Sequence, residues 1–344
     1  MTDAAIAHPF PDPPGPGQAV TVAPDVLWLR MPLPMALDHV NVYALRDDDG
    51  WTLIDAGLGG TRSHAAWELA LAGPLAGHPV ARVLVTHHHP DHIGAAGWFQ
   101  TRGADLITTR TAWLLARMLT QDVQTRPTAE TLAFWRAAGM PAPLLAQRMV
   151  ERPFNFADVV DPLPLGFTRI VEGQMLQMAG RRWQVRTGNG HAPEQATLWS
   201  LDDNLVLGAD QILPGISPNI GVYATEPDAD PLGEWIASCQ AFQTVARENH
   251  LVLPGHKLPF TGLPLRLGQM IANHDTALTR LLDRLRMGPA TACDCFATIF
   301  RRDIGGGEYG LALVEAVAHL NHMGRLGQAR RTRRDDGAWL WLPA

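Results

Sequence analysis

Four histidines and one aspartate occupy six consecutive positions in the stretch HHHPDH, which begins at His87. His87 and His89 are two residues apart, so along an extended segment their side chains project to the same side. After Pro90 the chain is expected to turn into a helix, which lets Asp91 and His92 face the same space from another direction. Imidazole and carboxylate groups are ligands that zinc favours, and a catalytic zinc site keeps one position open for water. The stretch therefore predicts a metal site.

A solvent-exposed histidine tract, with Asp91 as an ordinary helix N-cap, is the simpler alternative. The position of the tract in the chain favours a metal site. It follows the apolar run VARVLV and opens the Gly- and Ala-rich segment DHIGAAGW, which is predicted to be a helix. Proteins of the α/β class place their sites at this point, just beyond the carboxyl ends of strands.

Five motifs, taken in chain order, resemble those of the metallo-β-lactamase superfamily. The histidine tract matches the signature H-x-H-x-D-H, and four other segments match the remaining motifs: LIDAG with Asp55, TGNGHAPEQ with His191, LGAD with Asp210, and LPGH with His256. The resemblance covers roughly residues 25 to 260. Five motifs in the right order are a far more specific signal than one short pattern.

The resemblance implies a site for two divalent cations, with zinc expected and iron or manganese as alternatives. The implied ligands are His87, His89 and His191 for one cation, Asp91, His92 and His256 for the other, and Asp210 as a bridge. Asp55 is expected to orient these ligands without binding metal itself. His88 matches no ligand position of the family, so a spacer or an outer group is expected there.

The motifs depart from the family pattern at two places. GNGH stands where Pro-Gly-His is frequent, which still leaves a flexible turn before His191. Asp210 stands where the class B β-lactamases carry a cysteine, so hydrolysis of penicillins is not expected.

Two such cations, about 3.5–4 Å apart, can share a hydroxide because they lower the pKa of its parent water from about 15.7 toward about 7. This metal-bridging hydroxide is the nucleophile that the resemblance implies. The same cations can neutralise charge that develops on a carbonyl or phosphoryl oxygen. Asp91 is expected to carry a proton to the leaving group as well as to bind metal. The resemblance thus implies a binuclear metal-dependent hydrolase.

The elements around the motifs predict an α/β fold. Segments rich in Val, Leu, Tyr and Trp precede and follow helical patterns on both sides of the histidine tract, and β character returns at FTRIVEGQMLQMAGRRWQVRTG. The intervening stretch, 110–164, is mostly helical and predicts an insertion. With the resemblance, the expected fold is an αββα metallo-β-lactamase sandwich with this insertion and a small C-terminal winged-helix-like domain.

The predicted domain organisation has three parts. A Pro- and Gly-rich flexible tail spans residues 1–20, a catalytic domain that includes the insertion spans 21–262, and a domain of three helices and a β-hairpin spans 263–344. Asp336-Gly337 is the predicted turn of that hairpin, and Asp49-Gly50 predicts another hairpin near the start of the catalytic domain.

The insertion is also the candidate wall of a substrate pocket. It combines Trp, Phe and Met side chains with several arginines that could grip a carboxylate or phosphate: Arg110, Arg117, Arg126, Arg136, Arg148 and Arg152. Plain helix core and a solvated basic face are the alternative interpretation. The pocket interpretation predicts a small-molecule thioester or ester with an anionic group as the substrate.

Cleavage of single-stranded RNA is the main alternative function. Segments after Asp210 resemble a bacterial branch of the superfamily that is related to glyoxalase II and to lactamase-like proteins with a C-terminal winged helix, and animal members with that appendage are endoribonucleases. Nucleic acid contact would draw on the arginines around the hairpin: Arg325, Arg330, Arg331, Arg333 and Arg334. The formal net charge of −6 argues against it. A non-enzymatic winged-helix regulator is a third alternative, which the complete ligand set disfavours.

The composition, with 46% hydrophobic and 18% charged residues, is that of a globular protein. No apolar run approaches the roughly 20 residues that cross a bilayer, so no membrane partner is expected. The N-terminal segment lacks the basic and apolar regions of a secretory signal, which predicts a cytoplasmic protein. Cys239, Cys293 and Cys295 are expected to be reduced, structural thiols. Amphipathic C-terminal helices leave a homodimer open as an alternative to a monomer.

Overall fold

The computed structural model describes residues 5–344, so the first four residues of the predicted tail lie outside the described residues. The chain divides into two compact units. One unit runs to Val123 and also contains Asn155–Pro218 and Gln243–Arg266; the other contains Gln124–Phe154, Asn219–Phe242 and Leu267–Ala344. The segment predicted as a single insertion, 110–164, is therefore divided between the two units.

The first unit contains a mixed sheet of seven strands that lie side by side in chain order. They are β1 (Val20–Ala23), β2 (Val26–Pro32), β3 (His39–Asp47), β4 (Gly50–Ile54), β5 (Val80–Leu84), β6 (Asp105–Thr108) and β7 (Thr168–Arg169). Strands β1 to β4 pair antiparallel, and β4 to β7 pair parallel. The hairpin predicted at Asp49-Gly50 joins β3 to β4. Because β4, β5 and β6 are parallel, their carboxyl ends meet at one edge of the sheet.

A second sheet of five strands completes the β-structure of this unit. Its strands are β8 (Met175–Met178), β9 (Arg181–Gly188), β10 (Gln195–Ser200), β11 (Leu205–Ala209) and β12 (Leu251–Pro254). The spatial order is β12-β11-β10-β9-β8. Only the β11–β12 pair is parallel, so these two strands also end at a common edge.

The helices of the first unit follow strands β4, β5 and β6. They are α1 (Thr61–Ala72), α2 (Pro90–Ile93), α3 (Ala96–Gln100) and α4 (Arg110–Gln121), with a 3₁₀ turn at Phe156–Asp158. The Thr109 side chain begins α4 by accepting a hydrogen bond from the backbone N–H of Ala112, which satisfies one of the free donors at a helix start.

Alternating residues of the strands face two separate apolar cores. In β2, Trp28 lies in a core that also contains Trp183 of β9, and this core joins the two sheets. Its neighbour Leu29 lies in the other core, with Trp67 of α1 and Phe99 of α3. This period of two is the geometry of a strand buried on both faces. The predicted α/β class is confirmed.

The second unit is mostly helical. Its elements are α5 (Ala129–Ala137), α6 (Ala142–Arg148), most of α7 (Pro231–Gln243), most of α8 (Leu263–Arg286), a 3₁₀ turn (Cys293–Cys295), α9 (Phe296–Phe300), α10 (Tyr309–Arg325), β13 (Ala329–Arg333) and β14 (Trp339–Pro343). Strands β13 and β14 form the C-terminal hairpin, and Gly337 in its turn has a φ of 91°. Within residues 5–344, no helix combines the length and the apolar character needed to span a membrane.

Candidate metal centre

Seven side chains converge where strands of both sheets end. His87 and His89 follow β5, Asp91 and His92 lie in α2, and the remaining three follow β9, β11 and β12: His191, Asp210 and His256. His89 is the residue before the helix, with an extended φ of −61° and ψ of 146°. Pro90 at the first helical position suits this geometry, because proline has no N–H to leave unpaired there.

The first group consists of three histidines. Nδ1 of His89 lies 3.0 Å from Nε2 of His87 and 3.0 Å from Nε2 of His191. A single ring nitrogen can donate to only one of two neighbours, so the three nitrogens cannot satisfy one another by hydrogen bonding alone. A cation shared by their lone pairs would satisfy all three, and the donor set therefore fits a metal ion.

The second group consists of two carboxylates and two histidines. Nε2 of His256 lies 3.3 Å from Oδ2 of Asp91 and 3.2 Å from Oδ2 of Asp210. Nε2 of His92 lies 3.3 Å from the same Asp210 oxygen, yet within residues 5–344 it has no hydrogen-bond partner although it is buried. A buried imidazole nitrogen without a partner is costly unless something else, such as a cation, accepts its lone pair.

Asp210 connects the two groups. Its Oδ2, besides the two contacts to the second group, lies 3.5 Å from Nε2 of His191 in the first group. Its other oxygen, Oδ1, is buried and lacks a hydrogen-bond partner in the described part of the chain. The Gln195 side chain faces the backbone N–H groups of Asp210 and Gln211, and its amide oxygen can accept from both when it is turned toward them.

The backbone around the site holds conformations that most side chains avoid. Four non-glycine residues that flank it have positive φ: Asp55 at 65°, Glu194 at 49°, Ala209 at 45° and Lys257 at 69°. Such conformations cost on the order of 1–3 kcal/mol each and cluster at functional sites. Asp55 and Ala209 lie at the carboxyl ends of β4 and β11, and Glu194 and Lys257 lie in the loops that carry His191 and His256.

Asp55 lies behind the ligand atoms and makes contacts with three groups. Its Oδ1 accepts a 2.8 Å hydrogen bond from the backbone N–H of Thr86, and its Oδ2 accepts a 2.9 Å bond from the Thr86 hydroxyl. The same Oδ2 lies 2.8 Å from Nδ1 of His92. The Thr86 hydroxyl in turn lies 3.0 Å from Nδ1 of His87. These contacts leave Nε2 of both histidines free to face the centre.

The opposite side of His256 is held by residues that the sequence analysis missed. Its Nδ1 donates to the backbone oxygen of His39 at 2.9 Å. The Asn41 side chain donates to the backbone oxygens of Pro254 and Lys257, on both sides of His256. The only signal in the sequence is that two polar residues interrupt the apolar strand HVNVYAL, and nothing in that pattern points to a partner more than 200 positions away.

Glu194 is a second residue that the sequence analysis missed. Its side chain accepts hydrogen bonds from the backbone N–H and the hydroxyl of Thr111, at the start of α4. Its own backbone N–H donates to Oδ1 of Asn189 at 2.9 Å. The loop that carries His191 is thereby attached to α4. Glu194 stands inside the segment TGNGHAPEQ, which was quoted only for its histidine.

His88 belongs to neither group. Its ring is parallel to that of Phe156, with centroids 6.3 Å apart and an interplanar angle of 7°. Burial, and then the neighbouring His191 and His92, lower the pKa of His88 to about 4. The ring is therefore neutral at physiological pH and points toward the aromatic side chain beside the site.

The electrostatics differ between the two groups. Burial lowers the pKa of His87 and His89 well below its usual value, and the neighbouring histidines lower it further. Burial also lowers the pKa of His256, but the carboxylates of Asp210 and Asp91 outweigh this effect and raise it to about 10. The first group thus offers neutral imidazoles, and the second concentrates negative charge. Both suit a divalent cation.

Comparison with known proteins identifies the family of the chain. The family model for the metallo-beta-lactamase superfamily matches residues 35–256, and the model for the metallo-beta-lactamase-like C-terminal domain matches residues 278–344. The first match covers more than half of the chain, and the chain belongs to the metallo-beta-lactamase superfamily. The metallo-β-lactamase fold that the resemblance implied is confirmed.

Three relatives illustrate the similarity. A beta-lactamase domain protein from Burkholderia ambifaria is 34% identical, with a TM-score of 0.91 over 98% of both chains. A metallo-beta-lactamase family protein from Thermus thermophilus is 26% identical, with a TM-score of 0.78 over 94% of this chain and 100% of the other. A Bacillus subtilis (strain 168) protein named probable metallo-hydrolase YqjP is 24% identical over 308 residues, which cover 86% of this chain and 91% of the relative.

Proposed function

We propose that the protein is a binuclear, zinc-dependent hydrolase that acts on a small-molecule thioester or ester. The observation that carries the proposal is the position of Asp210, whose Oδ2 lies 3.5 Å from a ligand atom of one group and 3.2 Å from a ligand atom of the other. One carboxylate oxygen in contact with both groups supports two cations that share a ligand. Superfamily membership and the printed name of the Bacillus relative support hydrolysis as the reaction.

The proposed ligands are those that the two groups contain. His87, His89 and His191 would hold one cation, and Asp91, His92 and His256 would hold the other. Asp210 belongs to the second group, and its contact with His191 would let it serve both cations. When bound, divalent cations supply a water-derived nucleophile at neutral pH and neutralise charge on the substrate oxygen. The role of Asp55 is to fix the ring of His92 and, through Thr86, the ring of His87.

Asp91 is the proposed proton carrier. Its side chain is 21% exposed, whereas the side chains of His92, Asp210 and His256 are 0%, 8% and 4% exposed. The most open carboxylate of the group is the one that a leaving group can reach. With Oδ2 turned toward His256, the other oxygen of Asp91 could take up the proton released by the attacking water and donate it to the departing sulfur or oxygen.

The substrate class follows from the surroundings of the site. Helix α4 carries Arg110 at its first position, and within residues 5–344 the exposed guanidinium of Arg110 has no ion-pair or hydrogen-bond partner. The next residue, Thr111, contacts the loop that carries His191. A free guanidinium at this end of α4 could bind the carboxylate or phosphate of a substrate through two hydrogen bonds. This supports a thioester or ester with an anionic group.

The RNA alternative has weaker support. Two of the arginines that it requires are already paired, because Arg331 contacts Asp228 at 2.7 Å and Arg334 contacts Asp336 at 2.8 Å. Pairing reduces the positive charge that a phosphate backbone would meet.

We propose the winged-helix-like arrangement of residues 263–344 as a structural module, supported by the succession of three helices and the β13–β14 hairpin.

The experiment that tests the proposed function compares zinc-loaded protein with chelator-treated protein on one substrate panel. The panel contains acyl thioesters, aryl esters, lactones, phosphodiesters and short single-stranded RNA. Zinc-dependent turnover of thioesters or esters, with two zinc ions bound per chain, is the expected result. Cleavage of RNA with inert thioesters would reverse the order of the two functions, and equal activity after removal of the metal would refute both.

A further inference from the structure

Helix α4 presents two large apolar side chains to solvent. Leu114 is 52% exposed and Met118 is 48% exposed, although both lie inside a regular helix. The opposite face of the helix is buried through Ala112 and Ala116. Residues four apart lie on the same face of a helix, so Leu114 and Met118 form one continuous apolar stripe.

The stripe begins at the loop that carries His191. Thr111 lies three residues before Leu114 and seven before Met118, which places it on the same face of α4. Thr111 is the residue that donates to Glu194, three positions after His191. With a rise of about 1.5 Å per residue, the stripe extends roughly 10 Å along the helix from this contact. One end of the stripe is thus attached to the loop that carries His191.

We propose that the stripe, Leu114 and Met118 of α4, binds the acyl chain of the substrate, so that the enzyme selects thioesters or esters of linear, medium-length fatty acids. This inference rests on the proposed function, because it requires the scissile bond to lie at the metal centre. A stripe of roughly 10 Å accommodates an acyl chain of about eight carbons. The carbonyl group would lie near His191, and the end of the chain near Met118.

The energetics predict a graded selectivity. Full burial of one methylene changes an equilibrium by about three- to fourfold, and a chain that lies along an open stripe buries about half of its surface, which gives about twofold per methylene. From two to eight carbons, kcat/KM should therefore rise by roughly 50-fold. Beyond the end of the stripe, each added methylene should have little further effect.

The test uses the zinc-loaded full chain and a series of N-acetylcysteamine thioesters with acyl chains from two to twelve carbons. The variant is the double substitution Leu114→Gln/Met118→Gln, which replaces exposed side chains on a helix surface. We expect the rise in kcat/KM from two to eight carbons to shrink to about fivefold or less, while turnover of the acetyl thioester stays within about twofold of wild type. Leu201→Gln is the matched control, because Leu201 is 51% exposed and lies in the turn between β10 and β11.

A binding measurement accompanies the kinetics. S-octyl N-acetylcysteamine is a thioether that cannot be hydrolysed, and its binding to wild type, to the double variant and to the control is measured by calorimetry. The proposal expects about tenfold weaker binding to the double variant alone. This readout does not depend on turnover.

The outcomes separate the two proposals. Hydrolysis of the acetyl thioester with a flat chain-length profile, or an unchanged profile in the double variant, overturns the acyl-chain site and leaves the proposed function intact. A wild-type dimer in size-exclusion chromatography that the double variant dissociates assigns the stripe to a second copy of the chain and overturns the acyl-chain site as well. Absence of hydrolysis at every chain length, together with inert aryl esters, overturns both proposals.

Discussion

The carboxylate of Asp210 occupies the space that a side chain at Gly255 would need: a Cβ built on Gly255 would lie 2.1 Å from Oδ1 of Asp210. It would also lie 3.0 Å from Cε1 of His92. Gly255 has no positive φ, so its role here is to let two elements approach closely rather than to permit an unusual backbone. The glycine of LPGH, next to His256, is therefore part of the site.

Gly255→Ala should push the Asp210 carboxylate out of position. Because Asp210 contacts both ligand groups, we expect the zinc content to fall from two ions per chain to one or fewer and kcat/KM to fall by about 100-fold or more. Elemental analysis and esterase kinetics measure the two effects. Gly215→Ala is the matched control, since a Cβ at Gly215 meets no atom within 4 Å. Two zinc ions retained by Gly255→Ala would show that the carboxylate can be displaced without consequence.

His89 and His88 are adjacent in the chain, but we expect their substitution to have different effects on metal binding. Nδ1 of His89 contacts both other histidines of the first group, whereas His88 contacts Phe156. His89→Ala should lose the first zinc ion and nearly all hydrolysis, by about 1,000-fold or more. His88→Ala should keep both ions and lose much less activity. The pair is compared by metal analysis and kinetics, and the same metal loss in both variants would contradict the assignment of His89.

Asp55→Asn tests the contacts behind the ligands. An amide of the same shape keeps one acceptor but removes the negative charge that orients His92 and, through Thr86, His87. Partners of this kind typically account for about 10- to 100-fold in metal affinity, and we expect a loss in that range. Zinc affinity is measured by competition with a chelator. An unchanged zinc affinity would show that Asp55 has only a structural role.

The sequence predicted most residues of the candidate site but not the residues that hold them in place. His191, Asp210 and His256 could be singled out because each stands in a short motif, and their convergence follows from strands that end at a common edge. Asn41 and Glu194 could not be singled out. Each is an ordinary polar residue whose partner is far away in the chain, and only the pairing of strands and helices determines which groups face each other.

For the fold as well, features that depend on neighbouring residues could be predicted from the sequence, and features that depend on long-range contacts could not. The strands before the histidine tract and the hairpin at Asp336-Gly337 follow from alternation and turn residues, which act over a few positions. The division of residues 110–164 between two units has no such signal. The sequence predicts helical segments at both α4 and α5, but which core each one packs against depends on contacts with distant residues.

Glu315→Gln should stabilise the protein at alkaline pH. Burial raises the pKa of Glu315 to about 7, while a hydrogen bond from Asn219 partly opposes the effect. The folded pKa lies above the ordinary value of 4.5, so the folded state binds the proton more tightly. The contribution of Glu315 to stability is therefore greatest below about pH 4.5 and is lost as the pH rises through about 7.

At pH 8 the glutamine avoids the cost of a buried negative charge, and we expect a gain on the order of 2 kcal/mol in the free energy of unfolding. Near pH 4 the gain should vanish. Urea unfolding at the two pH values measures it. Glu308→Gln is the control, because Glu308 is exposed and its pKa is lowered by Arg302, so no gain is expected there. Equal effects of Glu315→Gln at both pH values would contradict the mechanism.

Asp91→Asn separates proton transfer from metal binding. The amide keeps a neutral oxygen toward His256 but cannot hand a proton to a leaving group. The loss of hydrolytic rate should therefore depend on the leaving group. We expect a loss of about tenfold for a p-nitrophenyl ester, because p-nitrophenolate departs without a proton, and about 1,000-fold for an alkyl ester, because an alkoxide must be protonated to depart. A residue that only bound metal would slow both substrates equally. Kinetics on the two esters, with zinc content measured in the same samples, distinguish the roles, because equal losses would assign Asp91 to metal binding alone.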